Sequence, residues 1–141
     1  MNDFADVVQG DGYAVANIES LGEGYGFRKI RRGLGVTAFG INALVLPPGN
    51  ETGRHFHDEQ EETYFVHRGE VEFEFGDGST HRLGPGGVAR VDAPTVRRMR
   101  NVSDEDAVVV AVGGKEGYVG RDGRLPEGEE SRFGSGEPPG A

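Results

Sequence analysis

The residues best equipped for chemistry in this sequence stand close together, at His55, His57 and Glu62. Side chains at i and i+2 of an extended strand point to one face, about 7 Å apart along the chain. Both imidazoles can therefore converge on one ion. Asp58, Glu59 and Gln60 follow as a polar connection able to turn the chain. Glu62 then opens the next strand, from which it can aim back at the pair. Two neutral imidazoles and one carboxylate make a facial donor set suited to one divalent ion: Fe(II), Mn(II), Ni(II) or Zn(II). An isolated His-x-His is easily met by chance, so the framing residues decide the weight of the motif.

The elements that must position these groups read as β-structure. The chain has 141 residues, enough for one hydrophobic core, and its 25 glycines suit short strands joined by tight turns better than helices. Glu70-Val-Glu-Phe-Glu-Phe75 alternates strictly, placing Val71, Phe73 and Phe75 on one face and the glutamates on the other. Asp77-Gly78 is a hairpin turn. Further strands are expected at residues 13–18, 26–32, 35–46, 63–67, 80–83, 88–91 and 96–101, with 108–112 an apolar strand buried on both faces. No sustained helical period appears from 26 to 112. The expected organisation is a lead-in with an edge strand at 1–25, a barrel at 26–112, and a strap or tail rich in glycine and proline at 113–141. Its apolar residues Tyr118, Val119 and Leu125 can dock, and its distal part is expected to be flexible.

The segment around the histidines fits Gly-x5-His-x-His-x4-Glu-x6-Gly at every fixed position: Gly49, His55, His57, Glu62 and Gly69. It resembles the first motif of the cupins, and the resemblance extends over residues 35–112. The second cupin motif, Gly-x5-Pro-x-Gly-x2-His-x3-Asn, is kept only at Gly86 and Asn101. Asp92 and Pro94 alter its turn, and Arg97 stands where the motif has histidine. The resemblance implies an all-β, single double-stranded β-helix barrel of jelly-roll type. It also implies a metal site inside the barrel, which in similar cupins a second-motif histidine completes, and commonly a dimer through sheet edges, for which 26–32 is the candidate edge.

A guanidinium cannot ligate a metal. Arg97 therefore leaves alternatives open: an ion on His55, His57 and Glu62 alone, an Arg97–Glu62 pair that abolishes metal binding, a bidentate clamp for a carboxylate or phosphate of a substrate, or a surface residue. Tyr64 and Met99, two residues beyond Glu62 and Arg97, should share their inward faces and are candidate substrate contacts with Arg97. His67 and His81 are expected on the surface.

Composition narrows the partners. A formal net charge of −9 gives no general attraction for nucleic acid or anionic lipid. No apolar run spans a bilayer, no secretory signal is expected at the start, and the default location is cytoplasmic. Cysteine is absent, which excludes thiolate sites and disulfides. No nucleotide-binding fingerprint or nucleophile elbow appears. Two functions follow. One is a metal-dependent enzyme of oxygenase, isomerase or decarboxylase type acting on a small organic molecule, with catalytic residues beyond the ligands unassigned. The other is a metal-free barrel that holds a small anion through Arg97.

Overall fold

Alternation and turn-forming residues convert into short antiparallel strands in the computed structural model, which describes residues 6–127. A hairpin of β1 (Val8–Gly10) and β2 (Tyr13–Val15) leads into a 3₁₀ turn at Ile18–Leu21. Then come β3 (Gly26–Arg28), the helical turn α1 (Ile30–Leu34), β4 (Gly40–Leu46), β5 (Phe56–His57), β6 (Glu61–Arg68) and β7 (Val71–Phe75). The chain continues through β8 (Thr80–Leu83), β9 (Val88–Val91), β10 (Arg97–Asn101), β11 (Ala107–Gly114) and β12 (Gly123–Arg124).

Two sheets enclose the core. One runs in the order β3-β4-β11-β6-β9 and the other β10-β7-β8, with every pairing antiparallel. Leu44 and Leu46 of β4, Tyr64 and Val66 of β6, Val71 and Phe73 of β7, and Val109 of β11 point between the sheets. The intervening residues Ala43, Val45 and Val108 face the other way, where Leu21 and Ile30 cover them. That is why the valine run of β11 is apolar on both faces at its start.

The expected strand at 26–32 is corrected by α1. Ile30 and Leu34 are four residues apart, which puts both on one face of a helical turn, and they pack on the outer face of β4. Two apolar positions are too few to register as a helical period. The expected flexible distal tail lies outside the described residues from 128 onward. Residues 115–127 form a strap along the cavity that His55 and His57 also line, tied down where β12 pairs with β5. Among the described residues, no helix is long and apolar enough to cross a membrane.

β10 does most to position the site. Its period of two buries Arg97, Met99 and Asn101 while Arg98 and Arg100 point outward to Glu74 and Glu72. Asn101 is fully buried. It donates to the carbonyls of Leu46 (3.0 Å) and Glu105 (2.7 Å) and accepts from the Ser103 backbone (2.8 Å), tying β10 to β4 and to the turn before β11. Gly69, with φ of 81°, ends β6 where a Cβ would meet the Ala107 backbone at 2.9 Å. Asn101→Ala would strand the buried Leu46 carbonyl and remove the bonds to the Glu105 carbonyl and the Ser103 amide, so urea unfolding should register a loss of about 2–3 kcal/mol.

Candidate metal centre

Each donor comes from a different pleat of the barrel wall. His55 joins β10 by a bridge in which its N–H and carbonyl bond those of Arg97 at 3.1 and 2.9 Å. His57 lies on β5, and the two rings approach edge-to-face with centroids 5.3 Å apart. On β6, Glu62, Tyr64 and Val66 turn inward while Glu61, Thr63, Phe65 and His67 face outward. Glu62 thus enters the barrel opposite the histidines, and one donor atom from each of the three residues lies within 4.8 Å of the others. Ligands held about 2.0–2.2 Å from an ion lie ~3 Å or a little more from each other, so small side-chain rotations close the set. Gly113 is paired with Glu62. A Cβ there would strike Gln60 Oε1 at 2.2 Å, so only glycine leaves the two side chains where they are.

Arg97 is inside the barrel and fully buried. Its Nη2 lies 3.1 Å from Glu62 Oε1, its Nε donates to the Tyr64 hydroxyl at 3.3 Å, and its Nη1 donates to the carbonyls of Thr95 (2.6 Å) and Ala93 (3.1 Å). The Tyr64 hydroxyl in turn donates to Glu62 Oε1 at 2.5 Å. The surface placement is therefore corrected. Arg97 is not among the residues that line the cavity beside the histidines, and its polar contacts in this structure are to protein groups. Tyr64 and Met99 do line that cavity, whose volume is about 130 Å³. His67 and His81 are exposed.

The protonation pattern follows from these contacts. Burial alone would raise the Glu62 carboxyl, but the bond and charge of His57, the Tyr64 hydroxyl and the Arg97 charge outweigh it and lower it to about 2. Tyr64 is pushed up by burial and then by the Glu62 charge, so it stays a phenol and a donor. Glu62 is consequently an anion at any working pH.

One residue of this site was not legible in the sequence. Asp122, on the strap, accepts from His57 Nδ1 at 2.8 Å and from the backbone N–H groups of Glu59 (2.8 Å) and Gln60 (2.9 Å), with the Gln60 amide adding a further bond. Burial works to raise its carboxyl, but these bonds, those of Gln60 foremost, hold it well below the ordinary carboxylate range. An ionised Asp122 has no proton to give, so His57 Nδ1 carries the hydrogen. On its other side the ring's Nε2 faces Glu62 Oε1 at 3.0 Å, a gap that a proton or a metal ion can bridge. A carboxylate behind a ligating imidazole is the usual support of a metal-binding histidine. The donor set fits a divalent ion, with Arg97 offsetting one negative charge and Asp122 restoring it. Asp122→Ala should weaken Zn(II) or Mn(II) binding about 10- to 100-fold in competition with a chromophoric chelator, whereas His67→Ala should leave it unchanged.

A family model described as a cupin domain matches residues 43–113. No curated protein matches the sequence. Among solved structures, an uncharacterized conserved protein with a double-stranded β-helix domain from Klebsiella pneumoniae is similar at TM-score 0.57 and 24% identity, over 64% of this chain and 76% of that one. That likeness speaks to fold alone. A sugar phosphate isomerase of the cupin superfamily from Silicibacter pomeroyi aligns at TM-score 0.58 and 27% identity, over 74% of this chain and 60% of that one. A DMSP lyase from Ruegeria pomeroyi aligns at TM-score 0.56 and 26% identity, over 65% of this chain and 46% of that one. The chain thus spans less than two thirds of the isomerase and less than half of the lyase. The family match runs from β4 to β11 and takes in both the histidine segment and β10, so this chain belongs to the cupin family.

Proposed function

We propose that this cupin is a metal-dependent enzyme whose ion, held by His55, His57 and Glu62, acts on a small organic molecule in the cavity those residues line. The observation that carries the reading is the convergence of donor atoms from His55, His57 and Glu62 within 4.8 Å of one another, with His57 Nε2 3.0 Å from Glu62 and its Nδ1 held by Asp122. A divalent ion there would supply Lewis-acid polarisation of a substrate oxygen for isomerisation or decarboxylation, or, as Fe(II), oxygen chemistry.

The chain's own residues do the rest. Tyr64 keeps its proton and directs it to Glu62, so it holds the carboxylate in place rather than transferring a proton. Phe27, Leu44, Met99 and Ala111 give the cavity an apolar wall that limits water around the bound molecule. At about 130 Å³ the cavity is smaller than the roughly 300–1,000 Å³ typical of sites for drug-sized ligands, which favours a compact substrate. The isomerase and the lyase among similar structures are enzymes of small molecules by their names, in keeping with this reading.

Elemental analysis of the purified chain beside a His55→Ala/His57→Ala double variant tests it. The expected result is close to one divalent ion per chain in the wild type and none in the variant, with the β-sheet circular dichroism signal preserved in both. Absence of metal from the wild type, even after incubation with Fe(II), Mn(II), Ni(II) or Zn(II), would remove the enzyme reading.

A further inference from the structure

Arginines are not distributed evenly with respect to the acids of this chain. Among the described residues, every arginine except Arg31, Arg32 and Arg121 lies within 3.9 Å of a carboxylate oxygen. These three all line the cavity that also contains His55, His57 and Glu62. They arrive from two separate places, Arg31 and Arg32 from α1 and Arg121 from the strap, so their convergence is a product of the fold rather than of one basic run.

Arg31 is also oriented. Its guanidinium carbon sits 4.0 Å from the centroid of the Tyr118 ring on the strap. Stacking on an aromatic face fixes the plane of the guanidinium and leaves its N–H edges free to form a two-pronged bond. Arg32 and Arg121 are exposed and add charge at the same wall. Three cations without a carboxylate partner along one cavity wall offer charge and N–H donors to an oxyanion bound there. The chain as a whole, at −9, repels small anions at long range, so a local positive wall is what admits one. Arg97 does not compete for this role, because its donors are taken up by Glu62, Tyr64 and the carbonyls of Ala93 and Thr95.

We propose that Arg31, Arg32 and Arg121 hold the carboxylate or phosphate group of the cavity's ligand, which makes the substrate a small organic acid or phosphate ester. The assignment deepens the proposed function and rests on the same cavity being the substrate site. The strap then serves twice, through Asp122 behind His57 and through Arg121 and Tyr118 at the anion.

Calorimetric titration of inorganic phosphate and of malonate, at fixed ionic strength, into the wild type and an Arg31→Gln/Arg121→Gln variant tests the proposal, with metal content measured on the same samples. The expected result is one anion per chain, bound roughly tenfold or more weakly by the variant, with unchanged metal content and melting temperature. Preference for one of the two anions assigns the group as phosphate or carboxylate. Should the double variant fail to fold, the exposed single changes Arg32→Gln and Arg121→Gln are each expected to weaken binding. Equal affinity in wild type and folded variants, or no binding of either anion by the wild type, overturns the proposal. Arginine-dependent anion binding in a chain without metal upholds this site and rejects the metal centre alone; metal retained with anion affinity unmoved does the reverse.

Discussion

A guanidinium with no solvent exposure is the constraint around which the barrel interior is arranged. Arg97 cannot shed its charge, and a buried charge without partners is strongly destabilising, by several kcal/mol. Its surroundings answer that demand from three directions: the carbonyls of the turn before β10, the Tyr64 oxygen, and the Glu62 carboxylate. His57 above all, with Tyr64 and Arg97 adding to it, keeps Glu62 ionised against its burial, and burial together with the Glu62 charge keeps Tyr64 protonated. The same carboxylate oxygen that meets Arg97 also meets His57. Structural pair and candidate metal ligand are therefore one group, and the state of one sets the electrostatics of the other.

Charge balance explains why the strap belongs to the site. Glu62 and Arg97 cancel, which leaves the two imidazoles with little net negative charge beside them to attract a metal cation. Asp122 supplies the missing negative charge from the far side of His57 and sets which nitrogen faces the cavity. Because Asp122 also accepts from the backbone of Glu59 and Gln60, it shapes the turn that carries the chain from β5 to β6. The β12–β5 pairing holds that carboxylate in register, with Gly123 opposite His57.

Much of this was legible in the sequence because it is local. The alternation at Val71, Phe73 and Phe75 fixed which face of β7 is buried, and the His55, His57 and Glu62 spacing placed three donors on inward faces that the fold brings within reach of one ion. Counting back from Asn101 placed Arg97 at the histidine position of the second motif, and its burial agrees with that register. What was not legible depends on distant closure. Asp122 lies 65 residues from His57, in a glycine-rich stretch whose composition is equally that of a tail. The helical turn at Ile30 is made by packing on Ala43 and Val45 rather than by a periodic pattern of its own. The engagement of Arg97 by protein acceptors depends on carbonyls whose direction no residue type announces.

The most direct measurement is anomalous diffraction from crystals grown with Mn(II) or Zn(II), collected at the absorption edge of the ion. The account predicts a single strong peak within about 2.0–2.3 Å of His57 Nε2, a ring nitrogen of His55 and a carboxylate oxygen of Glu62, with Asp122 still bonded to His57 Nδ1. Ordered side chains with no peak at that point, or an ion bound elsewhere in the barrel, would contradict it.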